Sequence, residues 1–93
     1  MVRLIDWRYD GDILFGICQG HDKLADGTYI HTSSIVKMEL CEEGLDAYTD
    51  SGTHYRMKML EVSLDHVGTT TLFLEEQGID RKFFDDLWVL VRS

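Results

Sequence analysis

Apolar and β-branched residues over the first two thirds of the chain alternate with polar ones and are interrupted by turn-forming dipeptides, which predicts short strands joined by hairpins. Residues 2–9 alternate loosely and are followed by Asp10-Gly11, whose glycine accepts the positive φ of a type I′ turn. Residues 12–19 then pair back, with Gly16 in mid-strand marking a bulge or a close backbone approach. A second Asp-Gly, Asp26-Gly27, precedes a strand over 28–31. Next come 35–41, a Glu42-Glu43-Gly44 turn, 45–49, an Asp50-Ser51-Gly52-Thr53 turn and 54–59. In the last of these Tyr55, Met57 and Met59 alternate with His54, Arg56 and Lys58, the period-two signature of one buried and one wet face. The expectation is five or six short antiparallel strands.

After Val62 the spacing changes. Leu64, Val67, Thr71 and Leu74, and then Phe83, Leu87, Leu90 and Val91, recur at helical intervals. Ser63 is placed to cap a first helix and Gly78 to end it in a left-handed residue; Asp80 would cap a second, with Ile79 stapled onto Phe84. Gly68-Thr69-Thr70-Thr71 are poor helix formers that leave open a loop or strand before a shorter helix, and residues 87–91 read as either helix or a closing strand. The expected fold class is α+β: a small antiparallel β-meander or partial SH3-like barrel followed by one or two C-terminal helices. It forms a single domain over 1–93, β-rich over 1–62 and mainly helical over 63–93. The chain contains no proline and no Gly/Ser-rich tract, which leaves no place for a flexible linker.

Composition narrows the function classes. Seventeen Asp and Glu against nine Lys and Arg give a formal charge of -8, with 44% apolar and 28% charged residues, as in ordinary globular domains. That charge repels a phosphate backbone, so direct nucleic-acid binding is not expected. No apolar run reaches the roughly 18 residues of a membrane helix, and a charge interrupts the start of the chain where a signal peptide is apolar. Two cysteines, Cys18 and Cys41, are too few for a disulfide scaffold. A cytoplasmic protein with reduced thiols is the expectation.

Candidate chemistry is sparse. Cys18, His21, His31 and Cys41 are a conceivable zinc set, but only Cys18 and His21 form the close pair that structural zinc sites use twice. A cysteine at the end of an apolar strand usually serves as a small buried hydrophobe. Ser33 or Ser34 with His31 or His21 and Asp22 or Asp26 can be combined as a nucleophile, base and orienting acid, yet no nucleophile-elbow motif frames them. The segment His31-Thr32-Ser33-Ser34 reads more simply as a polar turn. No phosphate-cradling glycine loop is present. Neither enzymatic activity nor a cofactor is expected.

The acidic residues are a better lead. Glu39, Glu42, Glu43, Asp46 and Asp50 fall within twelve positions that contain no Lys or Arg. One reading is solubility. The sharper one is a negative field that steers association with a protein partner bearing a basic surface, with Glu42, Glu43, Asp46 and Asp50 steering and Tyr48 as an aromatic anchor. Tyr9 and Tyr29, beside turns, are further exposed candidates. The alternative function is a small-ligand or metal-binding β-barrel domain in which Cys18, His21, His31 and Cys41 converge. A homodimer through Phe83, Phe84, Leu87, Trp88 and Val91 is a third possibility.

The stretch Gly20-His21-Asp22-Lys23-Leu24-Ala25-Asp26-Gly27-Thr28-Tyr29-Ile30-His31-Thr32-Ser33-Ser34-Ile35 resembles a segment of short proteins of bacterial phages and mobile elements. As a compact acidic β-rich chain, the protein also resembles phage-encoded anti-defence proteins of the anti-CRISPR type. That resemblance implies a non-enzymatic inhibitor that binds a host defence complex stoichiometrically and blocks its basic, nucleic-acid-binding surface. It transfers no individual functional residue.

Overall fold

The computed structural model describes residues 1–79 and Lys82. Strands β1 (Val2–Tyr9), β2 (Leu14–Gln19), β3 (Tyr29–His31), β4 (Ile35–Leu40), β5 (Gly44–Thr49) and β6 (His54–Lys58) are followed by two 3-10 turns, Met59–Glu61 and Leu64–His66, and by helix α1 (Val67–Glu76). The fold class is α+β, as the hydrophobic pattern predicts. The second helix capped by Asp80, the staple onto Phe84, the alternatives for 87–91 and the homodimer surface all lie outside the described residues.

The strands form one sheet in the order β3-β2-β1-β6-β5-β4. Neighbours pair antiparallel except β1 and β6, which run parallel with Val2 beside Tyr55 and Leu4 beside Met57. A purely antiparallel meander is therefore corrected at one seam: the N-terminal strand sits between β2 and β6 in the middle of the sheet. The edge strands β3 and β4 are joined by residues 32–34 alone. Laid flat, six strands would put those edges about 24 Å apart, whereas so short a link spans at most about 14 Å. The sheet must curl, and a hydrogen bond from Ile35 N to Asp12 O (2.7 Å) ties the start of β4 to the turn between β1 and β2. Inside lie Leu4, Trp7, Tyr9, Leu14, Cys18, Leu45, Ala47 and Met57, all essentially inaccessible.

A bulge keeps that lining continuous. Between the pairs Ile5–Ile17 and Arg8–Phe15, β1 carries two residues, Asp6 and Trp7, against the single Gly16 of β2. Asp6 takes a left-handed φ of 50°. The extra residue shifts the alternation, so Val2 and Leu4 are buried before the bulge and Trp7 and Tyr9 after it. A Cβ on Gly16 would lie 3.1 Å from the Ile5 carbonyl oxygen and 3.3 Å from Trp7 Cα, which is why glycine stands there.

Helix α1 packs onto β1. Tyr9 N donates to Thr70 Oγ1 (3.2 Å), and the Phe73 ring sits over Gly11, whose φ of 98° belongs to the turn between β1 and β2. That turn comprises four residues rather than two, with Asp10 Oδ1 accepting from Asp12 N and Ile13 N. The helix ends as the glycine predicts: Gly78 has φ 82°, Gly78 N donates to Glu75 O, and Ile79 N donates back to Leu74 O. Its start differs from the expectation. Ser63 precedes the 3-10 turn rather than α1, and its hydroxyl meets His66 Nδ1 at 3.0 Å. The doubtful Gly68-Thr69-Thr70-Thr71 segment is helical because Thr70 and Thr71 are buried and hydrogen-bonded through their hydroxyls.

Candidate functional site

The acidic residues predicted to act together are distributed by strand geometry. Cys41 and Gly44 exchange two backbone hydrogen bonds, so Glu42 and Glu43 form the exposed tip of the β4–β5 hairpin. Asp50 is exposed beyond the other end of β5, roughly 23 Å away at about 3.3 Å per residue. Asp46 lies between them and is only 7% exposed.

Asp46 is already engaged. Its Oδ1 accepts from Arg56 Nε (2.8 Å) and meets His54 Nε2 (2.7 Å), while Oδ2 accepts from Arg56 Nη2 (3.1 Å). An ionised carboxylate only accepts, so His54 carries its proton on Nε2. The hydrogen bond from Arg56 is the main influence holding the Asp46 carboxyl below its ordinary value of 3.8; burial opposes it and His54 assists. The Arg56 guanidinium is correspondingly raised, first by the same hydrogen bond. The His54 ring stacks on Tyr48 with centroids 4.6 Å apart, and Lys37 Nζ of β4, paired to Glu39 at 2.9 Å, lies 5.6 Å from the centroid of the Tyr48 ring. Asp46 and Tyr48 therefore brace the β4–β5–β6 surface, and Asp46 contributes no uncompensated charge to a partner.

This bracing has a pH signature. Because the folded-state value of Asp46 is depressed, its stabilisation is complete above the ordinary carboxylate range and is lost as pH falls through the folded value. Asp46→Asn is expected to flatten the acid limb of the stability profile below about pH 4. Urea denaturation from pH 6 to pH 2 checks this: wild type and variant losing stability in parallel would contradict it.

A different acidic surface lies at the end of the sheet where β6 finishes, the same end as the Glu42–Glu43 tip because Gly44 pairs with Lys58. Here a shallow groove of about 420 Å³ is lined by Ile5, Leu60 and Leu64 and by Asp6, Glu61 and Asp65. Leu60 and Leu64 are 66% and 60% exposed. Arg3 approaches Glu61 no closer than 3.9 Å. Sequence reasoning missed this group because Asp6 owes its place to the bulge and Glu61 and Asp65 to 3-10 turns; Leu64, whose spacing places it with the helical apolar positions, is instead exposed in the turn that precedes α1.

The remaining predicted residues separate. Cys18 is buried in the core with its Sγ 3.6 Å from Ala25 O, whereas Cys41 is half-buried beside the hairpin tip. No three His, Cys, Asp or Glu side chains converge as metal ligands among the described residues, so the fold does not assemble the Cys18, His21, His31 and Cys41 set. His21 and His31 do share a feature, a hollow of about 490 Å³ at the end where β1 and β6 begin. Tyr9, expected to be exposed, is a core residue at 1%, with its phenol pKa raised first by burial; Tyr29 is 57% exposed. No helix among the described residues is long and apolar enough to cross a membrane. Comparison with protein-family models, curated proteins and solved structures finds no match to this chain.

Proposed function

We propose that this protein is a non-enzymatic interaction module whose acidic end, Glu42 and Glu43 together with the Asp6, Glu61 and Asp65 groove, receives a basic surface of another protein. The observation that carries this reading is the coincidence of exposed Leu60 and Leu64 with three carboxylates in one groove. Lys and Arg side chains bury their alkyl stems on apolar surface while keeping the charged head among anions. The leucines supply the first environment and the carboxylates the second. Glu42 and Glu43 extend the same field outward and steer encounter, whereas Asp50, beyond the other end of β5, lies more than a Debye length away. In this arrangement Asp46 and Tyr48 act within the sheet, fixing β5 against β6 through Arg56 and His54.

The finer form of the proposal is inhibition by occupation: the acidic end covers a surface on a host defence complex that otherwise holds nucleic acid. The net charge of -8 and the resemblance of residues 20–35 to phage and mobile-element proteins support it. Affinity capture from bacterial lysate at low and high salt, with wild type and the Glu42→Lys/Glu43→Lys/Asp65→Lys variant in parallel, tests it. A stoichiometric, nucleic-acid-binding partner is expected that weakens with salt and loses at least tenfold in affinity on charge reversal. Retention of a partner by the reversed variant at low salt would overturn the reading.

A further inference from the structure

We infer that the hollow where β1 and β6 begin is a binding site for a small sugar phosphate, a role separate from the acidic end. The hollow is the size of pockets that hold small organic molecules, and such sites favour the mouths of β-barrels. Val2 and Tyr55, neighbours in the parallel β1–β6 pair and nearly buried, close it on the side of the sheet. Its walls come from three separate connections, the β2–β3 loop with His21, Asp22 and Lys23, the β3–β4 link with Ser33, and the β5–β6 turn with Ser51 and Thr53. The curl of the sheet brings these distant segments together.

The walls favour an anion with hydroxyls. In a chain carrying -8, they bring together one ammonium, two imidazoles and three hydroxyls against the single carboxylate of Asp22. His21 Nδ1 accepts from Lys23 N at 3.0 Å, which leaves Nε2 to donate in the neutral ring. Ser51 Oγ lies 3.3 Å from Ser33 Oγ and 3.0 Å from Thr49 Oγ1, so the hydroxyls are already arrayed. Burial raises the Tyr55 phenol and keeps its hydroxyl protonated. Lys23, His21 and the serines match the acceptor oxygens of a phosphate monoester, and Asp22 accepts from sugar hydroxyls.

The test is amide-resolved NMR titration of the full chain with glucose 6-phosphate, glucose and inorganic phosphate separately. Saturating shifts confined to residues 21–23, 31–33 and 51–53 are expected with glucose 6-phosphate at a Kd of about 1 mM or tighter, with each fragment at least tenfold weaker. Lys23→Ala and Ser51→Ala, both at exposed positions, should each weaken binding several-fold while leaving the rest of the spectrum in place. The absence of saturating shifts, or shifts unaffected by both variants, would overturn the site. Inorganic phosphate binding as tightly as the ester would overturn the sugar part, and glucose binding as tightly would overturn the phosphate part. The Glu42→Lys/Glu43→Lys/Asp65→Lys variant should bind the ester unchanged, so the outcome is independent of the partner-binding proposal.

Discussion

Trp7→Ala is expected to lower the unfolding free energy by about 3–5 kcal/mol, a large share of the 5–15 kcal/mol that a domain of this size possesses. Three roles meet in this residue. The indole is fully buried, its Nε1 donates to Lys58 O at 2.8 Å, and its carbonyl accepts from Ser63 N at 2.7 Å. It thereby ties the bulged strand to the end of β6 and to the segment entering α1. Loss of the ring leaves a cavity at the sheet's centre and an unpaired Lys58 carbonyl. If Trp7→Ala is too unstable to purify, Trp7→Phe keeps most of the packing and removes the hydrogen bond, for an expected cost of about 1–3 kcal/mol. Guanidinium denaturation reads both; a change below about 1 kcal/mol for the alanine variant would contradict the packing described.

Gly44→Val is expected to be comparably severe, at about 3 kcal/mol or more. A Cβ on Gly44 would collide with the Met57 carbonyl oxygen and come within 3.0 Å of Lys58 Cα and Met59 N. All three neighbours are backbone, so no rotamer change relieves the clash. The β5–β6 ladder would have to open beside Leu45 and Met57, both fully buried. Gly68→Ala is the informative contrast, since a Cβ there meets nothing within 4 Å and alanine is favoured in a helix by roughly 0.5–1 kcal/mol. Thermal denaturation of the two variants should move in opposite directions. A tolerated Gly44→Val would mean that the two strands do not approach as described.

How much of this was legible depends on the range of each interaction. Turns were legible because glycine at positive φ and Asx side chains act within a few residues: Gly27, Gly52 and Gly78 all adopt positive φ where turn or helix-end chemistry places them. The Gly16 bulge was legible because a glycine inside a strand has few other uses. The β1–β6 pair was not, since no local pattern marks which distant edge a strand will join. The fate of Asp46 lay in between. The turn over 50–53 sets the register that puts Asp46 opposite Arg56 and Tyr48 opposite His54, so the hairpin already implied that this acid is neutralised. Treating the acidic run as a linear charge count concealed it. The hollow and the Leu60–Leu64 groove escaped the sequence because each is assembled by the curl of the sheet or by 3-10 turns.

The parallel pairing of β1 and β6 also governs the order in which the chain can be completed. Val2 and Tyr55 are more than fifty positions apart, and such contacts form only after the intervening loop has lost its freedom. During synthesis β1 can fold against β2 early, yet its other edge waits until β6 has left the ribosome. An unpaired strand edge of that kind invites the strands of other chains. On this edge the row that β6 pairs with covers only Val2 to Leu4, and Asp6, with its left-handed φ, follows shortly after, so the stretch left open is short. The same left-handed residue that keeps Trp7 facing inward thus shortens the edge that the chain leaves open until β6 arrives.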